Sequence, residues 1–261
     1  MLPLFGSTAN TFMTQTKYLN QRPIGLFTRV VKYVFYLVIW LVFARGMVAQ
    51  LSNFRAFGKK IVCVGRNYKE HALELGNAIP KRPLFFVKST NSYVSEGEPI
   101  VPPPGCKILH QEVELGVIFS KTAKNVPMSQ TFNYVGGYAV ALDMTARDFQ
   151  DEAKKAGTPW FLAKSFDTSC PVGCFIDANK IANPHDVELY CRINNEEKQR
   201  CRTDAMVFDI PTLIEFLTKY ITMEPGDMLL TGTPPGVTAV RSGDCIEFGL
   251  EGITSSKFYV Q

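Results

Sequence analysis

The sequence predicts a mixed α and β fold, rich in strands, and three observations carry that reading. Period-two alternation and turn residues dominate the chain. Clear helical signatures are confined to about 145–156 and about 210–220. The composition, 46% hydrophobic and 20% charged over 261 residues, suits one domain with a large core plus an extension. No internal repeat or low-complexity tract interrupts it. The seven cysteines are odd in number and form no CxxC pair, which points to reduced thiols inside a cell.

Residues 1–50 form the extension. Met1 to Lys69 contains no Asp or Glu, so much of the net charge of +4 belongs to this end. The remainder is close to neutral or acidic, and nucleic-acid binding is not expected. Tyr33–Ala44 is an unbroken apolar run of 12 residues between Lys32 and Arg45. A spanning helix needs about 20 residues, reached over 30–49 only if both basic residues snorkel. Three readings stand side by side: a mitochondrial presequence, a signal anchor through residues 30–49, or a leader absent from the working protein, since Met47 lies just before the first motif. Mitochondrial localisation is the expectation, with a cytoplasmic or membrane-anchored protein as alternatives.

Taken in chain order, the elements begin with a short helix from Tyr68 to about Leu75, closed by Gly76. It puts His71 and Glu74 at i, i+3. At that spacing a carboxylate can orient an imidazole for proton transfer, although such surface pairs are often inert. Next, His110 to Phe119 alternates as a strand. Val113, Leu115, Val117 and Phe119 share one face, with Glu112, Glu114 and Gly116 on the other. Successive same-face residues lie roughly 6.5–7 Å apart, so two carboxylates can converge on one cation. The bland alternative is a solvated strand edge.

The apolar run Gly137–Leu142 ends at Asp143, a third carboxylate, at a strand-to-helix junction. Thr145 and Asp148 have the spacing of a capping box for the helix that follows, which ends at Gly157 with Pro159 beyond. Arg147, Gln150 and Lys154 share a face of that helix. Trp160–Phe166 reads as a strand with Lys164 on its apolar face, where an ammonium needs an anionic partner or must snorkel. The helix at about 210–220 has Asp209 as cap, Pro211 in its first turn, and apolar Ile210, Leu213, Ile214 and Leu217. The strand Asp227–Leu230 leads into Thr231-Gly232-Thr233-Pro234-Pro235-Gly236, whose glycines allow close backbone approach. Three carboxylates with no cysteine or histidine pattern favour a hard cation such as Mg²⁺, Mn²⁺ or Ca²⁺ over Zn²⁺. Of the other histidines, His110 abuts the Glu112–Glu114 strand, and His185 follows Pro184 in a loop and reads as structural.

Val64-Gly65-Arg66-Asn67-Tyr68-Lys69-Glu70-His71, Glu112-Val113-Glu114-Leu115-Gly116, Leu142-Asp143-Met144-Thr145-Ala146-Arg147-Asp148, Ala163-Lys164-Ser165-Phe166 and Leu230-Thr231-Gly232-Thr233-Pro234 occur in that order. Together they resemble the fumarylacetoacetate hydrolase family, in its small acylpyruvase and oxaloacetate decarboxylase branch, which is mitochondrial in animals. The resemblance covers about residues 52–261. It implies an α+β, β-rich fold like that family's C-terminal domain, a mixed β-sandwich roll with a metal in its mouth, and a homodimer.

It also implies roles. Glu112, Glu114 and Asp143 would hold Mg²⁺ or Mn²⁺. His71, Glu74 and Lys164 would be catalytic, the first two forming a dyad on a lid segment, and Arg147, Gln150 and Thr233 would contact the substrate. The implied activity is metal-dependent C–C cleavage in small 2-keto acids: hydrolysis of acylpyruvates such as acetylpyruvate and fumarylpyruvate, and decarboxylation of oxaloacetate. Tautomerisation of oxaloacetate, or a membrane-anchored binding protein without chemistry, are the alternatives.

Overall fold

The computed structural model describes residues 31, 34–36, 51–74, 76 and 78–261. The chain divides into two units, Met1–Met47 and Val48–Gln261. In the first, Val31, Val34, Phe35 and Tyr36 are helical and exposed. Most of the apolar run falls outside the described residues, and with it the reading of the extension. Among the described residues no helix is long and apolar enough to cross a membrane.

The second unit opens with helix α1 (Phe54–Phe57), strand β1 (Ile61–Gly65), helix α2 (Lys69–Glu74) and strand β2 (Leu84–Lys88). Then come β3 (Tyr93–Val94), β4 (Leu109–Gln111), β5 (Val113–Phe119), β6 (Val135–Leu142) and β7 (Thr145–Ala146). Helices α3 (Arg147–Ala156) and α4 (Phe161–Lys164) follow, then β8 (Cys170–Pro171), β9 (Ile176–Asp177), β10 (Glu188–Ile193) and β11 (Glu196–Arg202). Helix α5 (Ile210–Tyr220) and strands β12 (Met228–Leu230), β13 (Thr238–Val240), β14 (Cys245–Leu250) and β15 (Thr254–Tyr259) complete it. The result is the strand-rich α+β fold expected from the sequence.

A six-stranded sheet, β2-β1-β12-β5-β6-β9, is the backbone of the unit, and a four-stranded sheet, β11-β10-β14-β15, packs against it. The alternation in β5 decides how. Val113, Leu115, Val117 and Phe119 join the large core with Leu189, Cys191, Ile246 and Phe248 of the second sheet. Helix α5 adds Ile210, Leu213, Ile214 and Leu217 to that core, each contributing about 1.5–3 kcal/mol on burial. The opposite face is also covered: Ile118 packs with Cys63, Met228 and Leu230 beneath Leu51 and Phe54. Every residue of β5 is therefore buried, and the solvated-edge reading of Glu112 and Glu114 falls.

Helix α5 follows its sequence signature closely, since Asp209 accepts from the Thr212 amide at 2.8 Å. Four other local readings are corrected. Residues 110–119 are not one strand; regular pairing breaks at Glu112, between β4 and β5. Helix α2 starts at Lys69 and not at Tyr68, which is bridged to Met206, and the expected end at about Leu75 lies outside the described residues.

Helix α3 starts at Arg147 and has no side-chain cap. Thr145 is held in β7 opposite His110, and the Arg147 amide donates to the Ile108 carbonyl at 2.8 Å. Asp148 accepts instead from the Lys107 amide, so the capping box does not form. Finally, Trp160–Phe166 is not a strand. Phe161–Lys164 is one helical turn, with Leu162 pointing to solvent at 72% exposure.

Candidate active site

Two antiparallel strands bring the carboxylates together. Val113 of β5 pairs with Leu142 of β6, and one step further the Asp143 amide donates to the Glu112 carbonyl at 2.8 Å. Glu112, Glu114 and Asp143 are all buried, and one oxygen from each lies within 4.8 Å of the others. The loop after β12 supplies a fixed donor. Gly232 has φ +100°, and a Cβ there would meet Asn67 at 2.7 Å, so only glycine fits. Its amide donates to Glu114 Oε2 at 2.7 Å.

Cations close around this cluster. Lys164 Nζ lies 2.9 Å from Glu112 Oε2, 2.5 Å from Asp143 Oδ2 and 2.6 Å from Thr145 Oγ1. The partner that the sequence demanded for a lysine on an apolar segment is thus present, although a helical turn presents it. Arg147 pairs with Glu112 Oε1 and donates to Gln150 Oε1 at 2.6 Å and to His110 Nδ1 at 3.1 Å.

A second buried lysine escaped the sequence reading. Lys88 Nζ sits 2.8 Å from Asp143 Oδ1, an oxygen that accepts no well-aligned hydrogen bond. The ammonium donates to the carbonyls of Met144, Lys164 and Ser169 at 3.1, 2.5 and 2.9 Å. Gln199 was missed too. It accepts from the Val113 amide at 3.0 Å and donates to Thr233 Oγ1 and the Pro234 carbonyl, both at 2.8 Å. Neither residue has a local sequence signal, because each finds its partners far along the chain.

The charges are unevenly shared. Burial opposes ionisation of Glu112, but the Lys164 ammonium and the Arg147 guanidinium outweigh it and hold its carboxyl well below the usual range. Glu114 goes the other way. Burial, then the neighbouring Asp143 and Glu112 charges, push it well above the ordinary value, and the Gly232 amide offsets only part of this. For Lys164, burial works against the charge, and Asp143 and Glu112 overcome it, raising its pKa. Burial and the Arg147 charge lower that of His110, consistent with a neutral ring accepting from Arg147.

The donor set fits a divalent ion. It is all oxygen, which suits Mg²⁺ or Mn²⁺. Glu112 and Asp143 already converge on one cation, the Lys164 ammonium, while for Glu114 burial and the Asp143 and Glu112 charges outweigh the Gly232 amide and the same ammonium. A group so placed needs a proton or a metal ion.

All three carboxylates, with His71, Arg147, Gln150, Lys164 and Thr233, line one cavity. Eight of the nine sequence-predicted residues meet there. The ninth, Glu74, does not line it. Its side chain is 44% exposed and touches His71 Nδ1 at 3.3 Å, while the Gly236 amide lies 3.3–3.4 Å from both its oxygens. His185 is structural, accepting from the Ile210 amide at 3.1 Å.

Comparison with known proteins bears on this site. The family described as fumarylacetoacetate (FAA) hydrolase C-terminal matches residues 60–261. The mitochondrial oxaloacetate tautomerase of Caenorhabditis elegans is 66% identical over 213 residues, which is 82% of this chain and 100% of the relative. The mitochondrial oxaloacetate decarboxylase of Dictyostelium discoideum is 44% identical, covering 78% of this chain and 94% of the relative. Among solved structures, fumarylpyruvate hydrolase from Pseudomonas aeruginosa, in complex with Mn²⁺ and pyruvate, superposes with a TM-score of 0.74 at 32% identity, covering 78% of this chain and 89% of that one.

Proposed function

Because the chain belongs to the fumarylacetoacetate hydrolase family, in the branch of mitochondrial oxaloacetate tautomerases and decarboxylases, we propose that it is a divalent-metal enzyme of oxaloacetate. Its first activity is interconversion of the keto and enol forms, and its second is release of CO₂ from C4. The sequence alone ranks acylpyruvate hydrolysis and decarboxylation first and tautomerisation as the alternative. The relatives' activities favour the reverse order. Hydrolysis of acylpyruvates is the finer reading, supported by the likeness to a fumarylpyruvate hydrolase. The single observation that carries the proposal is one cavity holding three carboxylates, the Lys164 ammonium and the His71 imidazole.

Glu112, Glu114 and Asp143 would hold Mg²⁺ or Mn²⁺, which supplies a Lewis acid for the 2-keto and carboxylate oxygens of the substrate. Lys164 balances the negative charge that develops on the 2-keto oxygen. Arg147, Gln150 and Thr233 orient the acid head. Glu74 engages His71 Nδ1, which leaves Nε2 as the nitrogen free to carry a proton.

In tautomerisation His71 takes the C3 proton and the 2-keto oxygen gains one. In decarboxylation the C3–C4 bond breaks, its electron pair moves into C3–C2 and onto the 2-keto oxygen, and C3 is then protonated. In hydrolysis His71 takes a proton from the water that attacks the distal carbonyl, the C3–C4 bond then breaks with its electron pair moving into C3–C2 and onto the 2-keto oxygen, and C3 is protonated.

Mitochondria are the proposed compartment, matching the relatives. A homodimer is supported by exposed apolar residues on the edge strand β2 and on α4, namely Leu84, Val87, Phe161 and Leu162, and sedimentation velocity tests it. We assign catalysis to residues 52–261 and none of it to residues 1–50. Equal melting and turnover of the full chain and of a protein beginning at Met47 is the expected result.

The activity test follows the enol of oxaloacetate by ultraviolet absorbance, in parallel with CO₂ release, with Mg²⁺ or Mn²⁺ and with EDTA. Metal-dependent enol consumption faster than CO₂ release is expected. Full activity in EDTA, or no action on oxaloacetate, refutes the reading.

A further inference from the structure

Four basic side chains line the cavity: Arg66, Arg147, Lys154 and Lys164. Three have protein partners. Arg147 and Lys164 are engaged with Glu112 and its surroundings, and Lys154 contacts Asp151 at 3.3 Å and the Trp160 ring at 5.9 Å. Among the described residues the Arg66 guanidinium has no ion pair and no hydrogen bond.

Its position is nevertheless fixed by the backbone. Arg66 has φ +61°, a region that residues with a Cβ rarely adopt. On one side, Gly65 is paired with Leu84 in the sheet. On the other, Asn67 is buried and donates to the Phe208 and Thr231 carbonyls at 3.0 and 2.8 Å, while its oxygen accepts from the Phe208 amide at 2.8 Å. The surrounding structure therefore holds an unpartnered cation at the cavity, on the same chain segment as His71. Arg147 and Gln150 come from helix α3 instead.

We propose that Arg66 receives a second carboxylate of the substrate, so that the site selects four-carbon 2-keto diacids over monoacids with the same head. This rests on the reading of the cavity as a 2-keto acid site. A guanidinium gives a carboxylate short, charge-assisted hydrogen bonds, often two at once.

The assignment has a chemical consequence. In decarboxylation the charge of the C4 carboxylate leaves that group as the C3–C4 bond breaks and arrives on the 2-keto oxygen. An arginine bound to C4 stabilises the starting anion more than the transition state, which slows this step. In tautomerisation the C4 carboxylate keeps its charge throughout, and Arg66 binds it equally before and after. Arg66 thus favours tautomerisation over loss of CO₂ at a site able to do both.

The test uses the Mn²⁺-loaded full chain and two unreactive probes, malate and 2-hydroxybutanoate, which share a carbon skeleton but not the second carboxylate. Arg66→Leu and Arg66→Gly are compared with wild type by calorimetry, glycine being the variant that suits the left-handed backbone. Malate binding should weaken about 10–100-fold, the scale of a lost charged hydrogen bond. Binding of 2-hydroxybutanoate should stay within twofold, and Arg66→Lys should recover part of the difference.

With oxaloacetate, the ratio of CO₂ release to enol consumption should rise in both variants. A wild type that does not prefer malate, equal weakening for both probes, or unchanged malate binding overturns the proposal. If wild type ignores oxaloacetate, the proposed function fails on its own, and the probe comparison still decides Arg66.

Discussion

Asp143 on the floor of the cavity is gripped at both oxygens, by Lys88 at 2.8 Å and Lys164 at 2.5 Å, and all three side chains are at most 3% exposed. On the lid helix α2, His71 meets Glu74 at 3.3 Å, and that glutamate is 44% exposed. The floor rests on β5 and β6, buried along nearly their whole length. The lid is a helix of six residues that buries His71 and Ala72, while Glu74 meets the Gly236 amide of the loop after β12 at 3.3 Å. Groups that stabilise charge gain from a rigid, water-poor setting, where their interactions are strongest and need no rearrangement. A group that moves a proton must reach the substrate and let it leave, and a short helix whose dyad is half buried and half exposed suits that task.

Removing a floor carboxylate should have the largest effect. Glu114→Ala should cut Mn²⁺ affinity by more than about 100-fold, beyond the 10–100-fold usual for residues that only support ligands, and abolish metal-dependent turnover. The metal-free protein should melt no lower than wild type, because burial and the Asp143 and Glu112 charges work against an ionised Glu114. Electron paramagnetic resonance of free Mn²⁺ and a melting curve read both quantities. Wild-type affinity in this variant would remove Glu114 from the ligand set.

On the lid, His71→Ala should slow proton transfer by about 10²–10⁴-fold while Mn²⁺ affinity stays near wild type. Decarboxylation should suffer less than hydrolysis, since breaking C3–C4 requires no activated water. If metal affinity fell as far as in Glu114→Ala, lid and floor would be one unit and the contrast would fail.

Lys88→Met tests the floor from behind. Asp143 keeps Lys164, so Mn²⁺ affinity should fall by about 10–100-fold. Stability should fall by about 3 kcal/mol, the low end for taking one partner from a buried ion pair. Urea titration of the metal-free form measures the second effect, and an unchanged midpoint would show that Lys88 holds nothing.

The smallest effect is a slope with pH. Glu114 has a raised pKa, so below that value a proton occupies the carboxylate that a metal ion needs. Mn²⁺ affinity should therefore rise with pH, by at most about tenfold per unit for one displaced proton, and level off above the raised pKa. Proton release on Mn²⁺ addition in weakly buffered solution checks the sign. The lid should show no such dependence on metal, and a metal-linked proton lost in Glu114→Ala but kept in His71→Ala would sharpen the distinction.

Much of the floor was legible in the residues alone. The alternation of β5 states which side chains enter the core and which face the cavity, because a strand's side-chain period is two whatever packs around it. Helix α5 was legible for a similar reason: its cap, its proline and its apolar stripe are all local. The five motifs contain seven of the nine proposed site residues, with Glu74 and Gln150 a few positions beyond them, and eight of the nine line one cavity.

What stayed hidden depends on partners distant in sequence. Lys88 ends an ordinary apolar strand, and only folding sets its ammonium against Asp143, Met144, Lys164 and Ser169. Thr145 has the spacing of a cap, yet its hydroxyl meets the Lys164 ammonium and its backbone joins β4. Trp160–Phe166 is too short a run for periodicity to separate strand from helix. Arg66 carries no mark in the sequence beyond its motif; its left-handed backbone, and its lack of an ion pair or hydrogen bond among the described residues, exist only in the fold. Local pattern determines which faces are buried. Which charges meet inside is decided by long-range contacts, since a buried ion is tolerable only when the whole structure delivers its partner.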